Sequence, residues 1–184
     1  HCISSAASDV YKRQVIKFIK KEIKLGNQIF WVCPLIEESK KLDHSSAVKK
    51  SEYLNKLFPN QVFLLHGKTT TEEKEMILNK FLKNEFKILV STTIIEVGID
   101  FPNANVIIIE NANKFGLSQL HQLRGRVGRG SKESSCILMF KSNLSDNAKK
   151  RINILKDSND GFKISEEDMK LRGFGDILGF KQSG

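Results

Sequence analysis

The chain has 184 residues, a hydrophobic fraction of 40% and 12 Phe, enough for one full domain, an appendage and a real core. A formal net charge of +9 and a pI of about 9.5 suit a polyanionic partner, and equally a lysine-rich solvated surface. No apolar run approaches membrane-spanning length and no secretory signal opens the chain. Isolated Cys2, Cys33 and Cys136 give neither zinc-site spacing nor a disulfide framework, so the expected setting is a reducing cytoplasm.

Residues 1–14, "HCISSAASDVYKRQ", are Ser/Ala-rich and unlike the rest, and "DVYKRQ" resembles a translated sequencing-adapter end. They are read as non-native sequence and set aside. From residue 15 to 25 apolar residues recur at helical spacing, and Gly26-Asn27 stops the helix. "QIFWVCPL" (28–35) is an apolar, β-branched and aromatic run closed by Pro34, hence a buried strand. A helix is expected over 45–58 and a strand over 61–65. A Thr-capped helix over 70–85 carries early acids and late lysines, as the helix dipole favours. Further strands are predicted at 86–91, 105–110 and 134–140, then helices at about 145–157 and 164–171. These five strands are continuous apolar runs separated by helices. Such a pattern predicts an α/β fold with a mainly parallel sheet covered on both faces.

Three segments follow strands: "HGKTT", "STTIIEVGIDFPN" and "ENANKFGLSQLHQLRGRVGRG". Ligands of open α/β sheets gather at the strand carboxyl ends, so the three are expected to build one site on one rim. The last segment is chemically distinctive. Only six of the 30 Lys and Arg residues are arginine, and three of them are Arg124, Arg126 and Arg129. A guanidinium binds phosphate oxygens as a planar fork, which lysine cannot. Gly125, Gly128 and Gly130 would let another surface approach closely. The Arg126-x-x-Arg129 spacing would put both side chains on one face of a helical turn. The alternative is a solvated basic turn, or arginines paired with Glu96 or Glu110.

"LLHGKTTTEEKE", "ILVSTTIIEVGIDFPNANVIIIENANKFGLSQLHQLRGRVGRG", "VCPLIEESKKLD" and "DGFKISEEDMKLRGFGDILGFKQSG" together resemble the second motor lobe of superfamily 2 helicases, specifically the RecG-type helicases of branched DNA. The resemblance implies a RecA-like sheet over 15–143 and a helical hairpin and loop, the translocation motif, over 144–184. It implies ATP hydrolysis in recombination and repair, with ATP and Mg²⁺ as cofactors. By resemblance, Arg126 and Arg129 reach the ATP phosphates, Arg129 being the finger. Gly98, Asp100 and Gln122 belong to the nucleotide site, with Asp100 toward a ribose hydroxyl. A turn-capping role is the alternative for Asp100. His66, Gly67, Thr92 and Thr93 would lie along one nucleic-acid strand, touching phosphates without reading bases. His66 could equally be structural. Arg151, Arg172 and Gln182 match the coupling positions of the translocation motif. A packing arm shielding the sheet is the bland alternative for this tail.

No GxxxxGK[ST] loop and no acidic magnesium box occurs. The expected partners are therefore a first motor lobe and an N-terminal branch-recognition domain of the same polypeptide, besides branched DNA. The enzyme is expected to be monomeric and away from membranes, and this piece inert alone. Two other readings share the residues: a transcription-repair coupling factor-like translocase, and a non-enzymatic basic DNA-binding module.

Overall fold

The computed structural model describes residues 2–6, 9–34, 40–92, 101–128, 133–140 and 144–172. In chain order these form β1 (Cys2–Ala6), α1 (Asp9–Lys24), β2 (Gln28–Val32), α2 (Lys40–Leu57), β3 (Val62–Leu65), α3 (Thr71–Leu82) and β4 (Ile88–Ser91). Then come β5 (Ala104–Ile109), a 3₁₀ turn (Ala112–Lys114), α4 (Leu117–Arg124), β6 (Ser135–Phe140), α5 (Asp146–Asp157) and α6 (Gly161–Arg172). Every strand pairing is parallel, in the order β1-β6-β5-β2-β4-β3.

The continuous apolar runs have the predicted cause. β5 is buried at all six positions because successive side chains enter two different cores. Val106 and Ile108 face α1 and α2 with Val15, Ile19, Trp31 and Leu54. Ile107 and Ile109 face α3 to α6 with Phe81, Leu120, Leu123 and Leu155. Phe30, Phe81 and Phe101 pack ring against ring in that second core, with centroids 5.1–5.3 Å apart. Buried Gln28 donates from Nε2 to the carbonyls of Phe81 and Phe86 at 2.7 and 2.8 Å. At Thr70 the expected cap is a full capping box. Thr70 Oγ1 accepts from the Glu73 amide, and the Glu73 carboxylate accepts from the Thr70 amide.

The structure departs from the sequence reading in the number of strands, in the starts of several helices and in one additional helix. The sheet has six strands rather than five: Cys2–Ala6, part of the segment set aside, pairs with β6 from Cys136 to Phe140. Backbone groups along the outer side of β6 would otherwise lack ladder partners, and a short extended segment satisfies them. α1 begins at Asp9, α2 at Lys40 and α6 at Gly161, each earlier than expected. α4 was not anticipated. It buries Leu117, Leu120 and Leu123, a three-residue spacing that a closer count reveals.

Candidate functional site

Parallel strands give the sheet a carboxyl rim and an amino rim, and the predicted site residues divide between them. At the carboxyl rim, the turn after β3 is internally bonded. The His66 amide donates to Thr69 Oγ1 at 3.1 Å, and the Lys68 amide donates to His66 Nδ1 at 3.1 Å. An accepting Nδ1 requires the neutral ring with its proton on Nε2, so His66 shapes this turn. Gly67 is exposed, and a Cβ added there would meet nothing within 4 Å. The fold itself therefore does not require glycine at 67, and its smallness matters only to something approaching from outside. Gly67→Ala is expected to leave the melting temperature of the chain within about 1 °C. In the complete enzyme it should weaken DNA binding. A fall of several degrees would make Gly67 a folding residue instead. Thr92 follows β4 nearby, 5% exposed, with its amide engaged by the Leu65 carbonyl at 3.2 Å. Its backbone N–H is thus unavailable for a phosphate. Thr93, Gly98 and Asp100 lie outside the described residues.

Glu110, at the end of β5, does not pair with an arginine among the described residues. It accepts from Trp31 Nε1 at 3.1 Å, lies 3.0 Å from Lys50 Nζ and 3.7 Å from Cys33 Sγ. Lys50 also stands 4.9 Å from the Trp31 ring centroid. Burial, reinforced by the Glu110 charge, pushes the Cys33 thiol far above its ordinary range. This cluster ties β2, α2 and β5 together beneath the carboxyl rim.

α4 leaves that rim at Gly116 and descends to the other one. At its foot, Gly125 caps the helix and Arg126 is half-buried. Val127 is buried, and the Gly128 amide donates to the carbonyl of Ala104, the first residue of β5, at 3.2 Å. The arginine segment therefore sits at the amino rim, opposite His66 and Thr92. The expectation of one shared rim is corrected: sequence order shows which strand a segment follows, and α4 then carries it the height of the sheet. The expected helical turn from Arg126 to Arg129 is corrected too. Gly128 lies between them at φ 76°, outside helical space. A Cβ at Gly128 would also collide with the Ser134 side chain. Gly125, at φ −70° and exposed, is under neither constraint. Of the two glycines described, Gly125 rather than Gly128 could serve an approaching surface in the way the sequence suggested. Gln122 is exposed one turn earlier on α4. Arg129 and Gly130 lie outside the described residues.

Arg124 belongs to neither rim chemistry. Its Nη1 donates to the Leu155 and Ser158 carbonyls at 2.6 and 2.9 Å, closing the carboxyl end of α5. Its Nη2 lies 3.0 Å from His121 Nδ1. Burial, then the Arg124 charge, lowers the His121 pKa against the pull of Asp160. The ring is therefore neutral at pH 7 and can accept from Arg124. The upper end of α4 is held as well: Ser118 Oγ donates to Asp168 Oδ2 of α6 at 2.6 Å, and Asp168 is 6% exposed. Arg151 of α5 donates to the carbonyls of Phe115 and Asn113 at 3.0 and 3.5 Å, just before α4 begins. The hairpin α5–α6 is thereby fastened to α4 at both rims. Ser118 and Asp168, and the anchoring role of Arg124, were missed by sequence reasoning, because the partners lie 31–50 residues apart. Arg172 closes α6, and Gln182 lies outside the described residues.

The helicase conserved C-terminal domain family matches residues 12–131. The chain is 51% identical over 173 residues to the ATP-dependent DNA helicase RecG of Synechocystis, covering 93% of this chain and 21% of that protein. It is 49% identical over 173 residues to the Bacillus subtilis RecG, covering 93% and 25%. The chain thus spans about a fifth to a quarter of the length of these curated relatives. Among solved structures, RecG bound to a three-way DNA junction superposes with a TM-score of 0.80 at 43% identity, over 96% of this chain and 22% of that one. The C-terminal domain of a DEAD-box protein, 19% identical with a TM-score of 0.56, shares the fold over 90% of this chain and 95% of its own.

Proposed function

The chain belongs to the helicase conserved C-terminal domain family, and from that premise we propose that it is the second motor lobe and coupling hairpin of a RecG-type enzyme that remodels branched DNA in recombination and repair. The observation that carries this reading is the division of the candidate residues between two rims, bridged by α4. Arg126 stands at the amino rim and His66, Gly67 and Thr92 at the carboxyl rim. A motor needs its nucleotide and its track to act on separate faces of one rigid body.

Arg126 and Arg129 would bind the terminal phosphates of ATP, their fixed charges neutralising charge that develops during phosphoryl transfer. The fit rests on Arg126 standing beside Gly125, whose exposed flank leaves room for a phosphate chain. Gln122, Gly98 and Asp100 complete the nucleotide side in this reading. Among the described residues no three His, Cys, Asp or Glu side chains cluster to hold a cation. Magnesium is assigned, with the phosphate loop, to the first motor lobe, as the family resemblance implies. Thr92 and Thr93 would hold one strand by its phosphates, Thr92 through its hydroxyl. The first motor lobe and a branch-recognition domain are the partners within the same polypeptide, which acts as a cytoplasmic monomer.

Coupling follows from the fastening of the hairpin. Any tilt of α4 produced at Arg126 is delivered to α5 through Arg124, and to α6 through Ser118 and Asp168. Arg151 braces the top of the same unit, and Arg172 leads from α6 toward Gln182. The test compares two proteins. The complete enzyme is expected to hydrolyse ATP when branched DNA is added, and the 184-residue chain alone to hydrolyse none. Turnover by the chain alone would show that it needs no first motor lobe for hydrolysis. A complete enzyme indifferent to branched DNA would defeat the motor reading.

A further inference from the structure

Phe162 opens α6 with its side chain 91% exposed. Its backbone is well fixed. Ser158 Oγ accepts from the Asp160 amide at 3.1 Å, and Asp160 Oδ1 accepts from the Phe162 amide at 2.9 Å. The Asp160 carbonyl accepts from the Ile164 amide at 3.0 Å, while Arg124 holds the Ser158 carbonyl at 2.9 Å. The ring is therefore presented by a built turn, not carried on a frayed end. Met169, 44% exposed, lies two helical turns further along the same face. Ile164 and Asp168, by contrast, turn inward. An aromatic anchor with an apolar neighbour on an exposed helix face is the composition of a contact surface.

Its position selects the partner. A Cβ on Gly161 would lie 3.2 Å from His121 Nε2, so the hairpin turn rests against the foot of α4 at the amino rim. His66 and Thr92 are at the other rim, a strand's length away, about 15–20 Å at roughly 3.3 Å per residue. A base stacked on Phe162 would be far from the candidate DNA path. The nucleotide side, beside Arg126, is adjacent.

We propose that Phe162 and Met169 dock the first motor lobe of the same polypeptide when the two lobes close on ATP. The inference rests on the second-motor-lobe reading above. The relatives are roughly four times as long as this chain, which covers 21% and 25% of them. The lobe that supplies the phosphate loop must reach Arg126 across the amino rim, which brings it past the hairpin turn. The occupant is thus an apolar pocket on that lobe, and closure and ring burial occur together.

The experiment uses the complete enzyme with p-benzoylphenylalanine at position 162. With DNA and a non-hydrolysable ATP analogue, irradiation is expected to join this residue to a first-lobe peptide, and to do so less without nucleotide. In parallel, Phe162→Ala should lower DNA-stimulated turnover about tenfold at saturating ATP, with DNA affinity within about twofold, and Phe162→Leu should recover most of it. Adducts on DNA, or no nucleotide-dependent adduct together with wild-type turnover in Phe162→Ala, would overturn the docking proposal while leaving the motor reading intact. An unsubstituted enzyme without DNA-stimulated hydrolysis would overturn both.

Discussion

Arg129→Lys in the complete enzyme is expected to lower ATP turnover about 10³-fold, with DNA affinity changed by less than about threefold. The physical ground is geometric. On the proposed role, a lysine would keep the charge but not the planar fork, so one of two phosphate contacts in the transition state would be lost. Gly128, four residues past the end of α4, has a φ of 76°, and its amide is bound to the start of β5. Arg126→Lys should behave similarly. Steady-state turnover at saturating DNA, paired with a DNA titration, reads both quantities. A variant with normal turnover and weakened DNA binding would reassign these arginines to the nucleic-acid face.

Arg124→Ala is the second large effect, and it should fall on conversion rather than on hydrolysis. The substitution removes both hydrogen bonds at the end of α5 and leaves two carbonyls without their cationic partner. Charge-assisted bonds of this kind contribute about 1.5–3 kcal/mol each, so a loss of about 2 kcal/mol or more of stability is expected. In the complete enzyme the number of junctions unwound per ATP should drop about tenfold, a coupling loss of ordinary size. Arg124→Lys should sit between, since one ammonium can reach one carbonyl. Arg172→Ala and Gln182→Ala, further along the same path, should lower the same ratio. An unchanged ratio in all of them would leave the hairpin as a packing arm.

Much of the sheet was legible because its strands write their environment plainly. A run such as "NVIIIE" has no polar face, so it needs a core on each side, and the structure supplies both. Thr70 with Glu73, and Ser145 before α5, announce helix starts by local chemistry alone. What could not be read is what depends on distance through space. Nothing adjacent to Arg124 in sequence reveals that its forks reach α5. Nor does the order of segments reveal that α4 carries the arginines to the opposite rim. Three glycines in one motif looked equivalent. Only the backbone angles and the nearness of Ser134 separate Gly128, which the fold requires, from Gly125, which it does not.

α4 has eight residues and is fastened near both ends, at Ser118 and at Arg124. Its length is therefore a gauge. Inserting one residue between those anchors would rotate one against the other by about 100° and lengthen the rod by about 1.5 Å. Ser118 would swing away from Asp168, or Arg124 from the end of α5, whichever bond is weaker. Side chains on its outer face can be exchanged at small cost, but residues cannot be added or removed. The segment that tolerates least change in length is thus neither the turn at Arg126 nor the loop at His66, but the plain helix between them.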